Sequence, residues 1–233
     1  MSAELRRTVV IVEDHTLLAE TLQAALRRRD IDAVIVPCDA ADLSGQVLAA
    51  EPDLVLLDLD LGTGVDGDGA LDGNDVLVPL VAAGVRVLVV TGTADPMRIA
   101  TALERGAAGY ERKESGFESL LARACAALEG RAVIDEAERW RMLRELARVR
   151  AEQEHAFEPF ERLTEREREV LEALVEGRSV RDMADDWVVS DATVRTHVRG
   201  LLCKLNAPSQ LGAVAAALRT GWLHRDRRAG SRT

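Results

Sequence analysis

Carboxylates, a hydroxyl and a lysine stop successive apolar runs in this chain, and their order specifies a chemistry. The run Thr8-Val9-Val10-Ile11-Val12 ends on Glu13-Asp14, Leu54-Val55-Leu56-Leu57 ends on Asp58, and Val85 to Val90 ends on Thr91. Lys113 follows Gly109-Tyr110 further on. Short runs rich in Val and Leu read as strands buried on both faces of a parallel sheet. Sheets of that kind bind ligands at the carboxyl ends of their strands. Carboxylates converging there repel one another unless a cation joins them, and oxygen-only donors suit a hard ion such as Mg2+. Acid pair, single Asp, hydroxyl and Lys on successive strand ends make a phosphoryl-transfer site.

The elements that position these groups follow from periodicity. Strands near 8–12, 33–36, 54–57, 85–90 and 108–111 alternate with helical patterns near 16–28, 40–50, 75–83, 96–105 and 116–128. In the first helix Leu18, Leu22, Ala25 and Leu26 share one face, and Pro96 suits a first helical turn. Alternation of this kind implies a doubly wound α/β sheet. Between Asp58 and the third helix lies a long segment, 62–75, with five glycines and the acids Asp66, Asp68, Asp72 and Asp75. It reads as a floppy acidic loop. It fails as a calcium loop: counted from Asp66, position five is Ala70 and position six is Leu71, where Asp or Asn and then Gly are needed.

Residues 136–156 are rich in Glu, Arg, Ala and Leu, with Trp140, Leu143, Leu146, Ala147 and Val149 at helical spacing. They read as a linker helix of roughly 30 Å, equally able to pair with a partner helix or to stand as a solvated spacer. Residues 160–224 carry four helical patterns and no strand. Thr164-x-x-Glu167 and Ser179-x-x-Asp182 fit capping boxes, and Ser190 is a third N-cap before a helix over 191–205. In that helix Val194, Val198, Leu201, Leu202 and Leu205 take core-facing positions. Arg195, Thr196 and Arg199 fall opposite, free to enter a major groove, where Arg reads guanine in bidentate fashion. Thr193 and Lys204 suit phosphate contacts. Met183 and Trp187 read as core. Arg225, Arg227, Arg228 and Arg232 lie in a tail that reads as frayed.

Charge is unevenly spread. The chain carries −10, but its first 130 residues carry −11, residues 131–159 carry −1 and the remainder +2. Whole-chain acidity therefore does not exclude a nucleic-acid partner for the second half. Cys38, Cys125 and Cys203 are odd in number and lack metal spacing, so they read as reduced, buried thiols. No signal-peptide pattern or long uncharged apolar stretch is present, so a soluble, cytoplasmic protein without a membrane partner is expected.

The first half resembles the receiver domain of two-component response regulators. The matching residues are Glu13-Asp14-His15, Asp58-Leu59, Thr91 and Gly106-Ala107-Ala108-Gly109-Tyr110-Glu111-Arg112-Lys113. The second half, Leu163 to Leu171 and Thr193 to Val198, resembles a LuxR-type helix-turn-helix. Together they resemble the NarL/FixJ family of transcription regulators over nearly the whole chain. The resemblance implies a strand order of 2-1-3-4-5 and a receiver domain over 1–130. It further implies a linker helix over 131–159 and a four-helix DNA-binding domain over 160–233.

It also implies roles. Asp58 is the phosphoacceptor. Asp14 and Asp58 ligate Mg2+ directly, Glu13 does so through water, and the backbone carbonyl of Asp60 completes the set. Lys113 pairs with Asp58, Thr91 donates its hydroxyl to the phosphoryl group, and Tyr110 is the aromatic switch. Implied partners are a sensor histidine kinase, double-stranded DNA and a second copy of the chain. There are departures. Glu114 follows Lys113 where the family has Pro, the 62–75 segment replaces a short Pro-Gly turn, and Asn206 and Gln210 stand where Gly and Arg are frequent. Asp185 and Asp186 add negative charge to the helix before the recognition helix.

The leading reading is a DNA-binding response regulator in which phosphorylation of Asp58 controls dimerisation and transcription. A regulator gated by a ligand or partner, independent of phosphorylation, is the alternative. A Mg2+-dependent phosphatase on the same sheet is a third class. The carboxyl-terminal helix-turn-helix argues against it, and a non-enzyme is expected.

Overall fold

The computed structural model describes residues 7–40, 42–63 and 70–222. Asp66, Asp68 and the arginines of the carboxyl-terminal tail lie outside the described residues. The chain divides into two compact units, Met1–Ala147 and Arg148–Thr233.

The first unit is built on β1 (Thr8–Val12), β2 (Asp32–Ile35), β3 (Leu54–Leu57), β6 (Arg86–Thr91) and β7 (Gly109–Arg112). All neighbours pair in parallel, in the order β2-β1-β3-β6-β7. That is the order 2-1-3-4-5 once the two strands of a separate hairpin, β4 (Asp60–Thr63) and β5 (Ala70–Asp72), are set aside. Every residue of β3 is buried. The pleat sends Val10, Val12, Val55, Leu57, Val87 and Val89 to one face. There they meet α2 (Leu43–Ala49), α3 (Gly73–Ala82) and α4 (Pro96–Glu104). Val9, Ile11, Leu54, Leu56, Leu88 and Val90 go to the other, against α1 (Thr16–Arg27) and α5 (Phe117–Leu128). The two cores together fix the register, because a one-residue slip would exchange the faces. Register then aligns the strand ends: Val12 pairs with Leu57, so Glu13 and Asp58 emerge side by side.

The 62–75 segment departs from expectation. It is not a loop throughout: β4 and β5 pair antiparallel, with Asp60 opposite Asp72. α3 starts at Gly73, two residues before the sequence pattern places it, because the Asp72 side chain accepts a hydrogen bond from Asn74 N and caps the helix. Gly73 is required by packing. A Cβ there would lie 2.1 Å from the Asp58 carbonyl oxygen and 2.8 Å from Leu59 Cα. Both are backbone atoms of the segment that carries the central carboxylate.

The helix read over 136–156 is longer, α6 (Glu136–Glu161). Its first turns belong to the first unit. Arg139 donates to the carbonyls of Leu103, Ala107 and Ala108, at 3.2, 2.8 and 2.7 Å. Met142 and Leu143 pack on the apolar cluster beneath.

The second unit holds α7 (Glu165–Val175), α8 (Val180–Trp187), α9 (Asp191–Lys204) and α10 (Gln210–Thr220). Both capping boxes are present and Ser190 caps α9. Val170, Leu171, Met183, Val194, Val198, Leu201, Ala213 and Trp222 form its core, and Trp187 packs at the edge. Asn206 takes φ +49°, the left-handed region Asn tolerates, so it serves where the family has Gly. Val188, between α8 and α9, also takes a left-handed φ of +54°. For a β-branched residue that is strained. No helix among the described residues is long and apolar enough to cross a membrane.

Gly73→Ala should destabilise the first unit by about 1–3 kcal/mol, the usual cost of overpacking against groups that cannot yield. Urea unfolding of the parent and variant measures it, and a matching midpoint would show that the hairpin base gives way easily.

Candidate functional site

The strand ends of the first unit bring Glu13, Asp14, Asp58, Thr91 and Lys113 together. The Glu13 and Asp58 side chains are almost wholly buried. Lys113 Nζ donates to Asp58 Oδ2 and to Glu13 Oε1, each at 2.6 Å. Burial pushes the carboxyl groups of both Asp58 and Glu13 up, and the lysine bonds only partly offset this. Burial opposes the charge of Lys113, yet its bonds to the two acids hold its pKa above the ordinary value. One ammonium against this many carboxylates leaves the site negative. Cys38 registers that field: burial, then the charges of Asp14, Glu13 and Asp58, push its thiol up to about 11.

Thr91 is fully buried, and its hydroxyl accepts a hydrogen bond from Thr93 N. Tyr110 is half-buried on β7 and donates its hydroxyl to Glu138 Oε1 at 2.7 Å, on the first turn of α6. His15 was not assigned a role by sequence. Its Nδ1 lies 2.7 Å from Asp14 Oδ1 and 3.0 Å from Glu13 Oε1. Ligand atoms of Glu13, Asp14, His15 and Asp58 all lie within 4.8 Å of one another. The Asp60 carboxylate lies outside this set and pairs with Arg98.

Arg98, on α4, carried no sequence signal. Its guanidinium bonds to Asp60 and to Asp72, and donates to the Leu59 carbonyl at 2.7 Å. Arg105 donates to the Asn74 carbonyl at 2.7 Å and to Asp75 Oδ1 at 3.1 Å. Two of the acids of the 62–75 segment, Asp72 and Asp75, are thus ion-paired. Burial would raise the Asp72 carboxyl, but bonds from Asn74 N and Arg98 hold it below the usual range.

In the second unit Arg195, Thr196 and Arg199 are exposed on α9, opposite buried Val194, Val198 and Leu201. Neither arginine has a hydrogen-bond or ion-pair partner among the described residues. The Thr193 hydroxyl lies 2.9 Å from Ser190 Oγ. Lys204 is engaged elsewhere: its Nζ donates to Glu167 Oε2 at 2.6 Å. Asp185 and Asp186 are exposed on α8, and Asp186 pairs with Arg178. The thiols are free, but none is fully buried: Cys38 and Cys125 are half-buried, and Cys203 is exposed because it falls on the outer side of α9.

Comparison with known proteins matches both units. A family model described as "Response regulator receiver domain" matches residues 9–124, and one described as "Bacterial regulatory proteins, luxR family" matches 161–217. The nitrate/nitrite response regulator protein NarP of Escherichia coli (strain K12) is 31% identical over 211 residues, 88% of this chain and 91% of that protein. The chain belongs to the NarL/FixJ family of response regulators. NarL of the same organism is 29% identical to this response regulator over 97% of the chain and 99% of its own length. RcsB of Salmonella enterica serovar Typhimurium, solved bound to a promoter, is 19% identical, covers 91% of this chain and 98% of its own, and has a TM-score of 0.48. The family is one of DNA-binding transcription regulators.

Glu167 provides a test in this regulator's second unit. Burial would raise its carboxyl, but bonds from Lys204 and Thr164 hold it below 4.5. A lowered folded-state pKa means the stabilisation is fully present above 4.5 and is lost as pH falls through the lowered value. Glu167→Gln keeps a capping-box partner but not the ion pair. As pH falls below 4.5 the parent's tryptophan-detected melting midpoint should therefore fall more steeply than the variant's. Parallel profiles would show that the pair contributes nothing.

Proposed function

We propose that this chain is a phosphorylation-controlled transcription regulator of a two-component system, acting in the cytoplasm. Its parts are a receiver domain over 1–130, a linker helix over 131–159 and a helix-turn-helix domain over 160–233. The observation that carries the reading is Asp58: a carboxylate at a central strand end, buried, held by Lys113, and flanked by Glu13 and Asp14. A structural ion pair needs one acid per base. This site has an excess of acid, raised in pKa by burial, and that excess fits a divalent cation.

The chemistry follows from the residues. A sensor kinase presents a phosphohistidine. One Asp58 oxygen attacks phosphorus, the O–P bond forms as the P–N bond breaks, and an acyl phosphate results. The Asp60 N–H and the Lys113 ammonium hold one Asp58 oxygen each and orient the carboxylate. Asp14, Asp58 and the Asp60 carbonyl would hold Mg2+, with Glu13 acting through water; the ion supplies positive charge for the approach of anion to anion. Thr91 donates its hydroxyl to the transferred phosphoryl group, and Tyr110 responds as the switch. Phosphorylation favours a homodimer whose paired recognition helices bind double-stranded DNA. Arg195, Thr196 and Arg199 face base edges, and Thr193 faces phosphate. The Lys204–Glu167 pair weighs against a phosphate contact by Lys204.

Asp58→Asn is isosteric but not nucleophilic, so it should take no label from a small phosphodonor with Mg2+ while keeping the parent's circular dichroism; labelling that persists would refute the acceptor. Arg195→Ala and Arg199→Ala should weaken operator binding by ~1–3 kcal/mol for whichever side chain makes bidentate base contacts. Affinities at fixed moderate salt decide this, and unchanged binding by both would remove α9 from the groove.

A further inference from the structure

We propose that Arg98 is a positioning residue for phosphoryl acceptance by Asp58, acting through the single peptide group that joins Leu59 to Asp60. This rests on the reading of Asp58 as the acceptor. The peptide group is planar and trans, so its C=O and N–H point in opposite directions. Its N–H donates to Asp58 Oδ1 at 3.1 Å. Its carbonyl accepts from Arg98 Nη2 at 2.7 Å and from Gly73 N at 3.0 Å. The other carboxylate oxygen, Oδ2, belongs to Lys113. Asp58 is thus held at both oxygens, and one of the two holds is set by where Arg98 pins the far end of a peptide plane.

A cationic donor on the carbonyl also polarises the peptide and strengthens the N–H bond beyond it. The arginine is itself fixed: α4 begins at Pro96 with Asp95 as its cap, and Asp60 and Asp72 grip the guanidinium from the hairpin. The hairpin inserted after Asp58 thereby acts as a strut between the acceptor and α4. Its acids at Asp60 and Asp72 seat the arginine instead of adding free negative charge to the site.

The test uses the full chain, Mg2+ and acetyl phosphate as the phosphodonor. Arg98→Ala should lower the labelling rate at saturating donor by about tenfold, the rate equivalent of one hydrogen bond, with little change in the donor KM. It should also move the Asp60 amide proton upfield, as weakening of its hydrogen bond to Asp58 requires. Arg98→Lys, which keeps charge but not the fork, should fall between the two. Asp75→Asn removes the neighbouring Arg105 ion pair, leaves the contacts of Arg98 in place, and should leave the rate within about twofold of the parent.

Labelling by Arg98→Ala at the parent rate overturns the proposal. So does an equal loss in Asp75→Asn, which would assign the effect to charge pairing. If Arg98→Ala does not fold, an unchanged Asp60 amide shift and unchanged rate in Arg98→Lys overturn it equally. Asp58→Asn is run in parallel. Label persisting there would remove the acceptor reading itself, whereas its loss there with a parent rate in Arg98→Ala removes only the role of Arg98.

Discussion

The arrangement of the first unit depends on one unfavourable constraint, the gathering of buried carboxylates at adjacent strand ends. Glu13 and Asp58 are desolvated together, and repulsion plus burial would protonate or expel them if nothing intervened. Lys113 intervenes by bonding to both at once. It can do so because β7 runs parallel to β6 in a register that pairs Arg112 with Thr91 and delivers the next residue over the site. The parallel sheet, buried on both faces, is what makes that register rigid. A group that has only partial compensation at rest is chemically useful, because a cation would complete it.

The inserted hairpin shows how a local composition can mislead. Glycines and aspartates between Asp58 and α3 raise backbone entropy and negative charge, and neither favours a strand. What orders the base of the segment is long-range. Gly73 N and Arg98 converge on the Leu59 carbonyl, Arg98 takes Asp60 and Asp72, and Arg105 takes Asp75. Of the acids in that segment, Asp72 and Asp75 are partners for arginines on and just after α4.

The second unit follows a similar logic on a smaller scale. Glu167 is a capping residue, a buried acid and the partner of Lys204 at once. Gly200 on α9 makes room for it, since a Cβ there would lie 2.5 Å from Glu167 Oε1. That packing joins α7 to α9 and leaves Arg195, Thr196 and Arg199 on the open side. The basic side chain nearest the end of α9 is thereby committed to the fold, and the two arginines without a partner among the described residues are those in its middle.

Much was legible in sequence because much was local. Apolar runs that stop on Glu13-Asp14, Asp58 and Thr91 define strands and their ends together. Side-chain caps at Thr164, Ser179 and Ser190 depend on residues three apart, and the alternation of strand with helix leaves little choice of sheet. The apolar stripe of α9 implied its polar side by subtraction. What sequence did not determine was decided by contacts between distant residues. Arg98 lies 38 positions from Asp60 and Lys204 lies 37 from Glu167, so neither pairing leaves a periodic trace. The roles of Arg98, of Gly73 and of the Leu59–Asp60 peptide exist only once α4, the hairpin and β3 share one corner, because hydrogen bonding and close packing act over a few ångströms of space and not along the chain.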